Sequence, residues 1–126
     1  MFRRSTSRTD TADAPPEVDI ATVTEATFLE DTAGEVALID FWAPWCAPCR
    51  AFAPVFHNVA AHRSRPGFRF GSCNVDDNRE TAALLGIQTI PTVVAFDAAG
   101  NEMARIVGVP ARRDLDALVE KAEAAR

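Results

Sequence analysis

Apolar and polar positions along this chain fall into two alternating periods, one of strands and one of helices. Val36-Ala37-Leu38-Ile39-Asp40-Phe41-Trp42 is apolar without alternation, the pattern of a central strand covered on both faces. Its single charged residue, Asp40, is the anomaly in it. Phe52, Val55, Phe56, Val59 and Ala60 then recur at helical spacing and predict a long amphipathic helix to about His62. Pro54 falls inside that helix, where it cannot donate a hydrogen bond to the carbonyl of Arg50 and is expected to kink it. Arg65-Pro66-Gly67 breaks the chain, and Phe68 to Val75 predicts a strand, completing a strand-helix-strand crossover with parallel strands. Asp76 to Leu85 follows as a turn and a helix ended by Gly86. Pro91 to Phe96 and Glu102 to Val107 predict an antiparallel hairpin around Asp97-Ala98-Ala99-Gly100-Asn101. Leu115, Leu118, Val119 and Ala122 mark a last amphipathic helix. Upstream, Val18 to Val23 predicts a short edge strand, and Thr24 caps a helix carrying Phe28 and Leu29 that Gly34 ends. The sum is an α/β domain over 18–126, with a central mixed sheet of about five strands flanked by about four helices. Residues 1–17 are too polar to offset the entropy of ordering them and are expected to form a disordered tail.

Composition narrows the function. The chain has 126 residues, 48% of them hydrophobic, which suits one globular domain with a core of its own. Its net charge of -5 argues against a nucleic-acid partner, because phosphate binding needs a basic face. The polar N-terminal stretch offers no apolar segment that would act as a signal peptide or membrane span, so the expected location is cytoplasmic.

Three cysteines are too few for a disulfide scaffold, and Cys46 and Cys49 lie too close in sequence to close a stabilising loop. Such a pair, at a strand-to-helix junction, is better placed for chemistry. Two plainer readings compete with a redox site: a pair of core cysteines, or half of a zinc site. Zinc needs two more ligands, and Cys73, His57 and His62 form no second pair at zinc-site spacing, so no metal is expected.

The residues around the pair carry a family resemblance. Asp40-Phe41-Trp42-Ala43, Trp45-Cys46-Ala47-Pro48-Cys49, Pro54, Asn74-Val75-Asp76, Ile90-Pro91-Thr92 and Val107-Gly108 come in the order and near the spacings of the thioredoxin family. The chain resembles that family over roughly residues 18 to 125. Two residues depart from the pattern: Ala47 stands where thioredoxins usually have Gly, and Ser72 where many have a lysine near the buried aspartate. The resemblance implies the thioredoxin fold and a protein-disulfide reductase working by dithiol-disulfide exchange. It also implies disulfide-containing protein substrates, electrons from an NADPH-dependent flavoprotein thioredoxin reductase, no bound cofactor and a monomeric state. Two other functions stay open: a thioredoxin-fold binding module, such as a chaperone or assembly subunit, and a more oxidising oxidase or isomerase. A reducing compartment favours the reductase.

Within that frame the residues divide the work. Cys46, at the N-terminus of the long helix, is placed for a stabilised thiolate and is the expected nucleophile; Cys49, one turn further in, is the expected resolving thiol. Asp40 on a buried strand carries a raised pKa through desolvation and suits proton transfer to or from Cys49, the role that the resemblance implies; a hydrogen-bonded structural acid is the plainer alternative. The resemblance implies a cis peptide bond before Pro91, whose plainer reading is a proline opening an edge strand, and a substrate segment paired with the backbone of Ile90. Trp45, Ala47, Pro48, Ile90, Pro91, Gly108 and Val109 together would make an apolar platform for partners. Trp42 is expected in the core beside the site, Cys73 as a small buried hydrophobe, and His57 and His62 facing solvent without a link to the dithiol.

Overall fold

The computed structural model describes residues 21–22 and 34–126. The expected tail, and the expected helix after Thr24, lie outside the described residues.

The unbroken apolar run becomes β2 (Val36–Trp42), the middle strand of a sheet ordered β1-β3-β2-β4-β5. It pairs in parallel with β3 (Phe68–Asn74) and antiparallel with β4 (Thr92–Phe96). The short β1 (Ala21–Thr22) lies parallel to β3 at one edge, and β5 (Glu102–Val107) is antiparallel to β4 at the other. Among the described residues this makes five strands and three helices: α1 (Ala47–Arg63), α2 (Arg79–Leu84) and α3 (Arg112–Ala124).

Successive side chains of a strand point to opposite faces, so a strand apolar throughout must be covered twice. On one face Val36, Leu38, Phe68, Phe70, Val93 and Ala95 pack against Phe52, Phe56, Val59 and Ala60 of α1 and the four apolar residues predicted for α3. On the other, Ala37, Ile39, Phe41, Cys73, Val94 and Phe96 meet Val75, Leu85 and Ile87. Cys73 is thus a fully buried core residue, in a different cluster from the dithiol's, the two adjoining through Val75.

Val55 departs from the expected stripe. Centred on Phe52, Phe56, Val59 and Ala60, the buried face of α1 leaves Val55 on its rim, exposed to solvent. The helix runs through Pro54, which is itself exposed. The hairpin between β4 and β5 is held by Asp97, whose carboxylate accepts the backbone N–H groups of Ala99 and Asn101 at 3.0 and 2.9 Å. Gly100 closes that turn at a φ of 87°, which glycine adopts without a Cβ clash.

Candidate active site

After β2 the chain makes a tight turn, in which the Cys46 N–H donates to the Ala43 carbonyl at 3.1 Å, and Cys46 becomes the N-cap of α1. Serine or aspartate usually supplies the capping acceptor; here it is sulfur, and the Cys49 N–H donates to Cys46 Sγ at 3.2 Å. No acidic residue stands in the first turn of α1, so no carboxylate competes with the sulfur for the positive end of the helix. Pro48 costs little in this turn, where its missing N–H would have no intrahelical partner.

Cys46 and Cys49 are joined by a disulfide, with their Cα atoms 5.2 Å apart, and both are buried among Ala43, Trp42, Val75 and Ile90. The Ile90 carbonyl oxygen approaches Cys46 Sγ to 3.8 Å from a segment 44 residues away. The Ile90–Pro91 peptide is cis. The Gly108 N–H donates to the Pro91 carbonyl at 2.8 Å, which ties the end of β5 to the same loop. Around the dithiol the apolar surface is uneven: Trp45 is 67% exposed and Val109 57%, Ala47 and Pro48 are exposed, Ile90 is half-buried and Pro91 buried. Trp45 is fixed at its polar end, its Nε1–H donating to Asp76 at 2.7 Å.

Behind the disulfide lies Asp40, 4% exposed. Burial pushes its carboxyl from 3.8 up to about 7, because the charged form loses its hydration and nothing nearby replaces it. Its Oδ1 has no hydrogen-bond partner among the described residues. The carboxyl faces a cavity of about 250 Å³ between the sheet and α1. Trp42 and Ser72 line it from the sheet, and Cys49, Arg50, Ala53 and His57 from the helix. Ser72 is the register partner of Asp40 in the β2–β3 pair. A buried acid with a half-empty hydrogen-bond set, titrating near neutrality beside a cysteine, can take up and return a proton.

Residues 19–122 match the family model described as Thioredoxin. Thioredoxin of Listeria monocytogenes is 34% identical over 79% of this chain and 94% of its own length, and that of Alicyclobacillus acidocaldarius 38% identical over 76% and 90%. The chain belongs to the thioredoxin family. Solved structures agree: the thioredoxin of Malassezia sympodialis superposes with a TM-score of 0.75 at 28% identity, covering 85% of this chain and 94% of that one. Fasciola hepatica thioredoxin superposes at 0.71, also at 28% identity, over 82% and 99%. As a thioredoxin, the chain is a protein-disulfide oxidoreductase whose Cys46–Cys49 pair exchanges with protein disulfides. Among the described residues no cluster of His, Cys, Asp and Glu is placed to hold a metal ion, and no helix is long and apolar enough to cross a membrane.

The residues singled out in this thioredoxin's sequence divide in space. Cys46, Cys49 and Ile90 share one cluster, Pro91 and Gly108 adjoin it through Ile90, and Trp45 and Val109 stand exposed. His62 is exposed, its Nδ1 2.8 Å from the Asn58 carbonyl, and takes no part in the Asp40 cavity. His57 corrects the expectation: it is exposed, as anticipated, yet it also forms part of that cavity's wall. The signal lies in helical spacing, since Cys49, Ala53 and His57 follow one another at four-residue steps along one row of α1. A helix row that starts at Cys49 ends at an imidazole.

Ser72→Lys tests how strongly this cavity is coupled to the acid. An ammonium on the register partner of Asp40 should favour the carboxylate and lower its midpoint from about 7 to ~6 or below. Titration of the side-chain carboxyl by NMR measures it; an unmoved midpoint would mean that the lysine head reaches solvent and leaves Asp40 to desolvation alone.

Proposed function

We propose that this thioredoxin acts as a reductase of protein disulfides, with Cys46 as nucleophile, Cys49 as resolving thiol and Asp40 as proton carrier. The observation that carries the reading is the Cys49 N–H aimed at Cys46 Sγ at 3.2 Å on a helix N-terminus free of acidic residues. A donor and a dipole end placed there stabilise the thiolate more than the thiol, and the thiolate is the nucleophile.

In the dithiol form, Cys46 thiolate attacks one sulfur of a substrate disulfide; a mixed disulfide forms and one substrate thiolate leaves. Cys49 loses its proton to Asp40 and attacks Cys46 Sγ, so the mixed disulfide breaks and the second substrate thiolate departs. The substrate has gained two electrons and leaves as two thiolates that take their protons from solvent, the Cys49 proton rests on Asp40, and the protein ends with the Cys46–Cys49 disulfide. An NADPH-dependent thioredoxin reductase returns the two electrons, and no cofactor is bound by the chain itself. Trp45, Ala47, Pro48, Ile90, Pro91, Gly108 and Val109 receive extended substrate segments, with the backbone of Ile90 lying alongside. We place this activity in the cytoplasm, in a monomer that engages neither membrane nor nucleic acid; the net charge of -5 supports the last point.

Cys49→Ser should stall the cycle at the mixed disulfide. Incubated with reduced cell extract proteins re-oxidised by diamide, this variant is expected to retain partners that dithiothreitol releases, while Cys46→Ser/Cys49→Ser retains none. Partners held equally by both variants would point to binding without exchange, and an empty Cys49→Ser sample would overturn the reductase reading.

A further inference from the structure

We propose that His57 is the relay through which the buried Asp40 carboxyl exchanges its proton with solvent, an inference that rests on the proton-carrier role proposed for Asp40. Each turnover loads one proton from Cys49 onto Asp40, and that proton must leave before the carboxylate can serve again. Asp40 is 4% exposed, so bulk buffer does not reach it directly. A base that exchanges with solvent is then needed to take it up. The route out is the cavity beside it, whose volume of about 250 Å³ exceeds that of several water molecules at roughly 30 Å³ each.

The groups facing Asp40 leave one candidate for its outer end. From α1 come Cys49, Arg50 and His57, from β3 Ser72, and from the paired position of β4 the apolar Val93. Cys49 is the proton's source. A guanidinium keeps its protons in proteins, and that of Arg50 donates Nη1–H to the Pro44 carbonyl at 2.9 Å. The Ser72 hydroxyl can pass a hydrogen bond along but does not hold an extra proton near neutrality. Imidazole both accepts and donates protons under physiological conditions, and His57 stands with one side in the cavity wall and the other in solvent. Water in the cavity links the two ends. The step is a proton transfer only: the carboxyl of Asp40 loses a proton, neutral His57 gains it as imidazolium, and buffer takes it away. During reduction of the disulfide the proton runs inward along the same path.

The experiment compares His57→Gln with the parent in stopped-flow resolution of a mixed disulfide preformed at about pH 5, where Asp40 carries its proton, and jumped to about pH 7 at low buffer concentration, so that resolution waits for that proton to leave. Resolution in His57→Gln should slow on the order of tenfold, less than the ~10²-fold or more from losing a proton-transfer group at the reacting atom. Added imidazole should restore the rate, and sodium chloride at matched ionic strength should not. In an Asp40→Asn background His57→Gln should bring no further loss. His57 is exposed, so the variant is expected to fold, and an unchanged far-ultraviolet circular dichroism spectrum checks it. An unchanged rate in weak buffer, or a loss that imidazole does not repair, overturns the relay while leaving Asp40 in place. Parent-like resolution in Asp40→Asn alone overturns the reading on which the relay rests.

Discussion

Cys46→Ser is expected to lower the reduction of insulin by dithiothreitol-charged protein to the uncatalysed background, a loss of at least ~10³-fold. The reason is acidity: the attacking species is a thiolate, and a serine hydroxyl does not ionise to any useful extent in its place. The substitution is well suited to isolating that effect, because position 46 is also the N-cap of α1. Serine ranks among the best capping residues, and its Oγ can accept the Cys49 N–H that now reaches Cys46 Sγ at 3.2 Å. The helix should therefore start at the same residue, and circular dichroism should be unchanged while activity is gone. Cys49→Ser supplies the contrast: attack persists, so one equivalent of mixed disulfide accumulates, but release stops. Insulin precipitation for turnover and mass spectrometry for the adduct separate the two. Turnover in Cys46→Ser within about tenfold of the parent would place the attack on another group.

The strand carrying Asp40 is legible to the residue in the sequence, and the reason is physical. A strand covered on both faces leaves no room for polar alternation, so seven consecutive residues, Val36–Trp42, announce both their conformation and their central position. The face of α3 is equally plain, because Leu115, Leu118, Val119 and Ala122 have no neighbour that disturbs the period. Val55 shows the limit of such reading: periodicity defines the centre of a stripe better than its rim. The approach of Ile90 to Cys46 follows from family resemblance alone, since no local pattern reports a contact across 44 residues. His57 escapes a sequence reading for a deeper reason. Whether an exposed helical residue borders a cavity depends on what the opposite element leaves unfilled, and here the small side chains of Ser72 and Ala53 leave the space over Asp40 open. Ser72 stands out in the sequence as a departure from the family pattern, but its consequence, a cavity reaching across to α1, exists only once three elements are assembled.

Asp40→Asn carries the largest expected effect on stability, and its sign tells a proton carrier from a structural acid. The folded chain holds the Asp40 proton up to about pH 7, whereas an ordinary aspartate releases it at 3.8. Between those values the native state binds more protons than the unfolded one, so stability falls as pH rises and the loss is complete above the folded midpoint. Each tenfold change in proton affinity is worth about 1.36 kcal/mol, so the burial of this one carboxylate destabilises the fold by roughly 4 kcal/mol at pH 8. That is a large share of the ~5–15 kcal/mol that holds a domain together. Asparagine occupies almost the same volume and has no charge to desolvate. Urea denaturation of the oxidised proteins should therefore find Asp40→Asn more stable than the parent by on the order of 3–4 kcal/mol at pH 8, with the difference vanishing toward pH 4. Over the same range resolution of the mixed disulfide should be slower in the variant at neutral pH. A hydrogen-bonded structural acid predicts the reverse, a loss of stability at pH 8 on removing the carboxylate, and that outcome would dismiss the proton-carrier role. Gain in stability together with loss of rate is the combination expected when a fold retains an unfavourable buried charge for its chemistry.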